Sequence, residues 1–273
     1  MEKKTKIDIL AIQMGSLIGD LDANIKKVKN LLINHLEKRS ADIVILPEVW
    51  TVGWDCQSFP NSAESFSNSK ALEMLQSIAK DYSINIIGGS IIERKSDNTL
   101  SNTCPVISRN GELLCKYEKN HLFSYYGCAE GDYIAAGKNP VLVNLDGVQV
   151  GLTICYDIRF PEIYRAYRKA GADLLVNMAA WGADKKIAWD SMTTSRSVEN
   201  QTYFVALTQT GKLRNGANLG HSMIIDYKGE IISEVNKDEA GIYATLDIEE
   251  MYQFREKCKI LNDIKKSYEV QII

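Results

Sequence analysis

Short apolar runs that stop abruptly at a proline, a glycine or a charged residue constrain this chain more than any other feature. "IDILAIQM" (7–14), "ADIVILPE" (41–48) and "INIIGGSII" (84–92) are each too short for a buried helix and rich in β-branched residues, so each reads as a buried strand. Between the first two lies "DANIKKVKNLLINHL", with Ile25, Val28, Leu32 and Leu36 at helical spacing and Asp22 in position to cap the helix. A second helix is expected over "KALEMLQSIAKDY". The chain then turns to hairpins. "NTCPVISRNGELLCKYEK" folds back about Asn110-Gly111, and "VLVNLDGVQVGLTICY" about Asp146-Gly147. Helix–strand alternation returns in "FPEIYRAYRKAGADLLVNMAA", where Gly171 ends the helix, and in "KIAWDSMTTSRSVENQTYFVALTQ". "SMIIDYKGEIISEV" forms a last hairpin before "GIYATLDI" and a charged C-terminal segment. Such a mixture predicts an α/β fold of large mixed sheets covered by helices. No linker, repeat or low-complexity run divides it, so a single domain over 1–273 is expected.

Composition removes several function classes. A net charge of -3 supplies no basic field for nucleic acid or an anionic lipid surface. The apolar runs are far shorter than a membrane span, and the lysine-rich start lacks the features of a signal peptide. A cytoplasmic protein that engages neither nucleic acid nor membrane is expected. The six cysteines are scattered without a C-x-x-C pair, which favours reduced thiols, and the three histidines lack metal-ligand spacing. There is no G-x-G-x-x-G after the first strand, no phosphate-binding loop and no G-x-S-x-G elbow.

Three places share one grammar, a reactive or charged residue at or just past a β-rich stretch: Glu48 in "VILPEVW", Lys119 in "CKYEKNHLF" and Cys155 in "TICYDIRF". Strand ends converge on one crevice in many α/β proteins. A carboxylate there can take a thiol proton as sulfur attacks, and an ammonium can stabilise the resulting oxyanion. Each residue alone admits a plainer reading: a packed cysteine, a loop carboxylate, an exposed lysine. The residues by themselves leave a cysteine hydrolase as one reading among several.

"LPEVW", "YEKNHLF" and "ICYDIRFPE", in this order and at this separation, resemble the three signature segments of the nitrilase superfamily of carbon–nitrogen hydrolases. The resemblance extends through "NPVLVNLDGVQVGLTICYDIRFPEIYRAYRKAGADLLVNMAAW", "SRSVENQTYFVAL" and "GHSMIIDYKGEII", and covers roughly residues 6 to 255. It implies a four-layer α-β-β-α sandwich that forms a homodimer, with the segment from about residue 250 in dimer packing. Position by position it implies Glu48 as general base, Lys119 as oxyanion-stabilising lysine and Cys155 as nucleophile. Glu130 in "AEGDYIAAG" matches a second glutamate that positions the substrate, and a loop charge is the plainer alternative.

The resemblance also implies amide hydrolysis through an acyl-thioester, without metal or organic cofactor. The backbone N–H of Tyr156 is expected as second oxyanion donor. Asp157 is either a brace of the turn or an ordinary turn residue. Tyr156-Asp157 after the cysteine resembles the amidase branches, and "CYDIRFPE" the ω-amidases and deaminated-glutathione amidases in particular. Arg159 is then placed to meet a substrate carboxylate, the alternative being a salt bridge to Glu162 or another surface carboxylate. Trp181 is expected to line the site. Phe123, Tyr125 and Tyr126 form an apolar wall or serve the dimer, and Cys128 is incidental. Two segments depart from the family pattern: Ala188 precedes Trp189 where relatives often have His-Trp, and "SYYGCAEGDY" around Glu130 differs. The expected function is an ω-amidase acting on 2-oxoglutaramate-like monoamides. The alternatives are an N-carbamoyl amide hydrolase and an ammonia-supplying subunit that works through a partner.

Overall fold

A computed structural model describes residues 4–125, 129–213, 216–265 and 267–273. In chain order its elements are β1 (Lys6–Gln13), α1 (Leu21–Leu36), β2 (Ile43–Ile45), the one-turn α2 (Phe59–Ser62), α3 (Lys70–Tyr82), β3 (Asn85–Ile87), β4 (Ile91–Arg94), β5 (Leu100–Ile107), β6 (Leu113–Glu118), β7 (Leu142–Leu145) and β8 (Val148–Ile154). There follow α4 (Pro161–Lys169), β9 (Leu174–Ala179), α5 (Lys186–Asn200), β10 (Tyr203–Thr208), β11 (Lys212–Leu213), β12 (Gly216–Ala217), β13 (Ser222–Ile225), β14 (Ile231–Val235), β15 (Ala240–Asp247) and α6 (Ile248–Lys257).

Alternation along β1 shows how the layers arise. Ile7, Ile9 and Ala11 enter a core shared with Leu152, Val176 and Val205 of the second sheet. Leu10 and Ile12 point the other way, against Val28 and Leu32 of α1 and Leu75 of α3. A strand buried on both faces needs apolar residues at successive positions, which is why these runs look continuous rather than alternating. The first sheet runs β15-β1-β2-β3-β5-β4, with β6 on β5, and the second runs β14-β13-β10-β9-β8-β7. The two sheets face each other between outer helices, giving the expected α-β-β-α sandwich. Strands β1, β2 and β3 are parallel, as are β8, β9 and β10, so their C-terminal ends collect at one side of the seam.

Two local expectations are corrected. The cap of α1 is Asp20, whose carboxylate accepts from Ala23 N–H at 3.1 Å, while Asp22 lies inside the first turn. "INIIGGSII" is not one strand. At Gly88-Gly89-Ser90 the chain leaves the sheet to cradle the segment after β2: Trp50 Nε1–H donates to Gly88 O (2.8 Å), Ser90 N–H to Pro47 O (3.1 Å) and Val49 N–H to Ser90 Oγ (2.9 Å). The Asp146-Gly147 hairpin forms as read, with both residues at positive φ (52° and 92°), as a two-residue turn requires. Among the described residues no helix is long and apolar enough to cross a membrane.

Candidate active site

Glu48, Lys119, Glu130 and Cys155, which are spread over more than a hundred positions of sequence, meet at the seam between the sheets. Glu48 follows β2, Lys119 follows β6, Glu130 opens a single 3-10 turn and Cys155 follows β8 directly. Lys119 Nζ donates to Glu48 Oε1 at 2.9 Å and lies 3.0 Å from both Glu130 oxygens, and all three side chains are wholly buried. The ammonium also sits over the Trp54 ring, 4.8 Å from its centroid. Removing such charges from water is costly unless they are paired and hydrogen-bonded, and here each is.

Donors from both sheets fix the Glu48 carboxylate. Oε1 also accepts from Asn102 Nδ2 (3.0 Å), and Oε2 from the backbone N–H of Ala180 (2.8 Å). Gln209 Nε2 donates to the Glu48 carbonyl at 2.6 Å. Glu130 Oε2 accepts in addition from Phe123 N–H at 2.7 Å, so Glu130 is anchored in the cluster rather than a loop charge.

Cys155 is 8% exposed and carries a positive φ of 47°. That conformation costs an L-residue about 1–2 kcal/mol, and Val49, beside Glu48, shares it (φ 41°). Burial pushes the Cys155 thiol well above its ordinary range, and the Glu48 charge and hydrogen bond push it further, against the pull of Lys119. The sulfur therefore rests as a thiol with its proton directed to Glu48. Burial alone would depress the Lys119 ammonium. The Glu130 and Glu48 carboxylates outweigh it, so the lysine stays protonated through the physiological range. Glu130 is raised by burial, with Lys119 opposing.

A cavity of about 440 Å³ opens onto Cys155, walled by Trp54, Phe123, Tyr156, Arg159 and Trp181 among others. Of the residues expected at the cavity, Phe123, Tyr156, Arg159 and Trp181 line it. The Arg159 guanidinium lies 5.2 Å from the Trp181 ring centroid and 5.9 Å from that of Tyr156, and among the described residues it forms no ion pair with Glu162. Tyr125 is exposed and reaches the wall through Phe123 and Tyr156. Trp189 lies behind the wall, 5.3 Å from Trp181 between ring centroids. Asp157 is a brace: it is wholly buried and accepts from Ile154 N–H at 2.9 Å. Tyr126 and Cys128 lie outside the described residues.

Sequence reasoning missed Trp54, Asn102, Ala180 and Gln209. Ser101-Asn102-Thr103, a polar run inside a buried strand, was a usable signal for Asn102. Ala180 acts through its backbone and left none.

Comparison with known proteins gives a consistent result. A carbon–nitrogen hydrolase family model matches residues 9–256. The 2-oxoglutaramate amidase of Bacillus subtilis (strain 168) is 33% identical over 261 residues, covering 96% of this chain and 98% of that protein. Omega-amidase NIT2 of Bos taurus is 32% identical over 249 residues, 88% of this chain and 89% of its own. Among solved structures, Saccharomyces cerevisiae Nit3, a member of branch 10 of the nitrilase superfamily, superposes with a TM-score of 0.86 at 26% identity, covering 94% of this chain and 95% of that one.

Proposed function

The chain belongs to the carbon–nitrogen hydrolase family, and on that footing we propose that it is an ω-amidase, hydrolysing 2-oxoglutaramate-like monoamides to the acid and ammonia. The observation that carries the reading is the buried Lys119 bridging Glu48 and Glu130 beside a cysteine that faces a cavity. The amidase names of the relatives support the substrate class.

In the proposed reaction, Cys155 Sγ attacks the amide carbonyl as its proton passes to Glu48. Lys119 Nζ and the Tyr156 N–H hold the oxyanion, a contribution of roughly 10²–10³ in rate for such donors. Collapse breaks the C–N bond, and Glu48 returns the proton to the nitrogen, which leaves as ammonia. The remaining thioester is attacked by water, which gives a proton to Glu48, and that proton restores the thiol as the acid departs. Oε1 of Glu48 accepts from both Lys119 and Asn102, whereas Oε2 accepts from Ala180 N–H and keeps a lone pair, so Oε2 is the oxygen suited to the proton transfers. Glu130 anchors Lys119 and lines up the amide. Arg159, between two aromatic rings at the cavity wall, receives the substrate carboxylate bidentately. We further propose one domain over 1–273 and a cytoplasmic homodimer that packs through the segment after about residue 250.

The test is ammonia release from 2-oxoglutaramate, 2-oxosuccinamate, deaminated glutathione, N-carbamoyl-β-alanine, glutamine and a simple aliphatic amide, with wild type, Cys155→Ala and Arg159→Ala. The reading expects Cys155-dependent release, fastest from 2-oxoglutaramate, and loss of the preference for carboxylated amides in Arg159→Ala. Carbon dioxide from the carbamoyl compound as the best reaction would replace it with the carbamoylase reading. Silence from folded wild type would remove it.

A further inference from the structure

The chemistry above leaves one buried carboxylate at the site unused. Asp157 accepts four hydrogen bonds: from Ile154 N–H (2.9 Å) and the Tyr117 hydroxyl (2.6 Å) at Oδ2, and from His121 N–H (2.9 Å) and His121 Nδ1 (2.7 Å) at Oδ1. The origin of these donors is informative. Tyr117 and His121 stand two residues to either side of Lys119. Ile154 and Asp157 bracket Cys155 and Tyr156, so the Ile154 N–H···Oδ2 bond closes a ring about the residue held at positive φ. The His121 ring also stacks on Phe160, with centroids 3.7 Å apart and planes 13° from parallel, binding the lysine segment to the far side of the same turn.

We propose that Asp157 is a positioning residue that locks the Lys119 segment to the Cys155 turn, holding the thiol in its left-handed conformation and the ammonium within reach of it. The proposal rests on the reading of Cys155 as nucleophile. Hydrogen bonds to a carboxylate are shorter and stronger than neutral ones, and four of them outweigh the backbone strain of a single left-handed residue. Both anchors of the lysine segment end on the same side chain, so neither the turn nor the lysine can shift without breaking bonds to Asp157.

A carboxylate that merely stabilises the fold would behave differently, and the molecule supplies the comparison. Asp173 is equally buried, accepts from Gln149 N–H (3.1 Å), the Tyr252 hydroxyl (2.6 Å) and Arg255 Nη1 (3.4 Å), and precedes β9 at the opposite end of the strands. Asp157→Asn and Asp173→Asn are compared with wild type and Cys155→Ala for kcat, KM, Tm and the rate at which iodoacetamide alkylates Cys155, read by peptide mass spectrometry. Asp157→Asn is expected to lower kcat by about 100-fold with KM within about threefold, the pattern of a lost transition-state interaction. It should also slow alkylation by about tenfold, because the displaced lysine no longer favours the thiolate. Asp173→Asn should lower Tm and leave kcat and alkylation as in wild type.

Asp157→Asn with kcat within threefold of wild type, or with unchanged or faster alkylation, overturns the proposal. Should that variant not fold, Tyr117→Phe decides: a kcat about fivefold lower at unchanged KM supports the lock, and a kcat within twofold overturns it. Failure of the nucleophile reading is seen separately, as hydrolysis that survives in Cys155→Ala.

Discussion

At the scale of single residues, the cluster is governed by where each proton sits. The Cys155 thiol is raised by burial, then by Glu48 and more weakly by Glu130, and Lys119 opposes this. Deleting the Glu48 charge should therefore have two opposite effects. Glu48→Gln removes the proposed proton acceptor, so amide hydrolysis should fall by about 10³-fold or more. The same change removes an anion and an acceptor from beside the sulfur, so the thiol pKa drops and alkylation at pH 8 should be faster than in wild type. Slower alkylation would show that Glu48 does not hold the sulfur in its protonated form. This scale was also where the sequence spoke most unevenly. Glu48, Lys119, Glu130 and Cys155 were legible because they carry the motif. Trp54 was not, because its partner Lys119 lies far away in the chain and no local pattern encodes a contact across the fold, while Asn102 showed only as a polar residue in a buried strand, without its partner.

Among elements, turns and short strands were the most readable, since Asp146-Gly147 needs residues that accept positive φ and the apolar runs need burial on both faces. The break at Gly88-Gly89 was not, because its cause is the loop it supports. Gly89 has φ 64°, and a Cβ there would stand 2.2 Å from Pro47 O and 2.8 Å from Trp50 Cδ1. Gly89→Ala should thus combine backbone strain with overpacking, lowering stability by about 2–4 kcal/mol. Because the struck loop carries Glu48, kcat should fall along with Tm in thermal and kinetic measurements. An alanine variant with wild-type kcat would mean that the loop absorbs the shift without moving the carboxylate.

For the whole molecule, the site exists only where the two sheets meet: Glu48, Lys119 and Asn102 come from the first, Cys155, Ala180 and Gln209 from the second. Convergence of parallel strand ends could be expected from alternation alone; the pairing of two separate sheets came from the resemblance. The C-terminal residues Tyr268, Val270, Ile272 and Ile273 are exposed and largely apolar, at 71%, 86%, 95% and 111% of full accessibility. Against a second copy they would be covered. Sedimentation should therefore give a dimer for the full chain and a weakened one after truncation at residue 264, and a monomer at every concentration would remove the proposed assembly.

The buried cluster of two carboxylates and one ammonium has a further consequence. Its formal charge is -1, and it lies behind a cysteine that is neutral at rest. In the proposed reaction an uncharged amide group approaches this enclosed negative region, and a newly made carboxylate is left facing it. Like charges in a poorly screened interior repel strongly, so the turnover itself converts a tolerated guest into an expelled one. The site would act as a one-way valve, in which product departure is driven by the charge that hydrolysis creates. Added acid product should then inhibit far more weakly than an unreactive amide analogue of the same length.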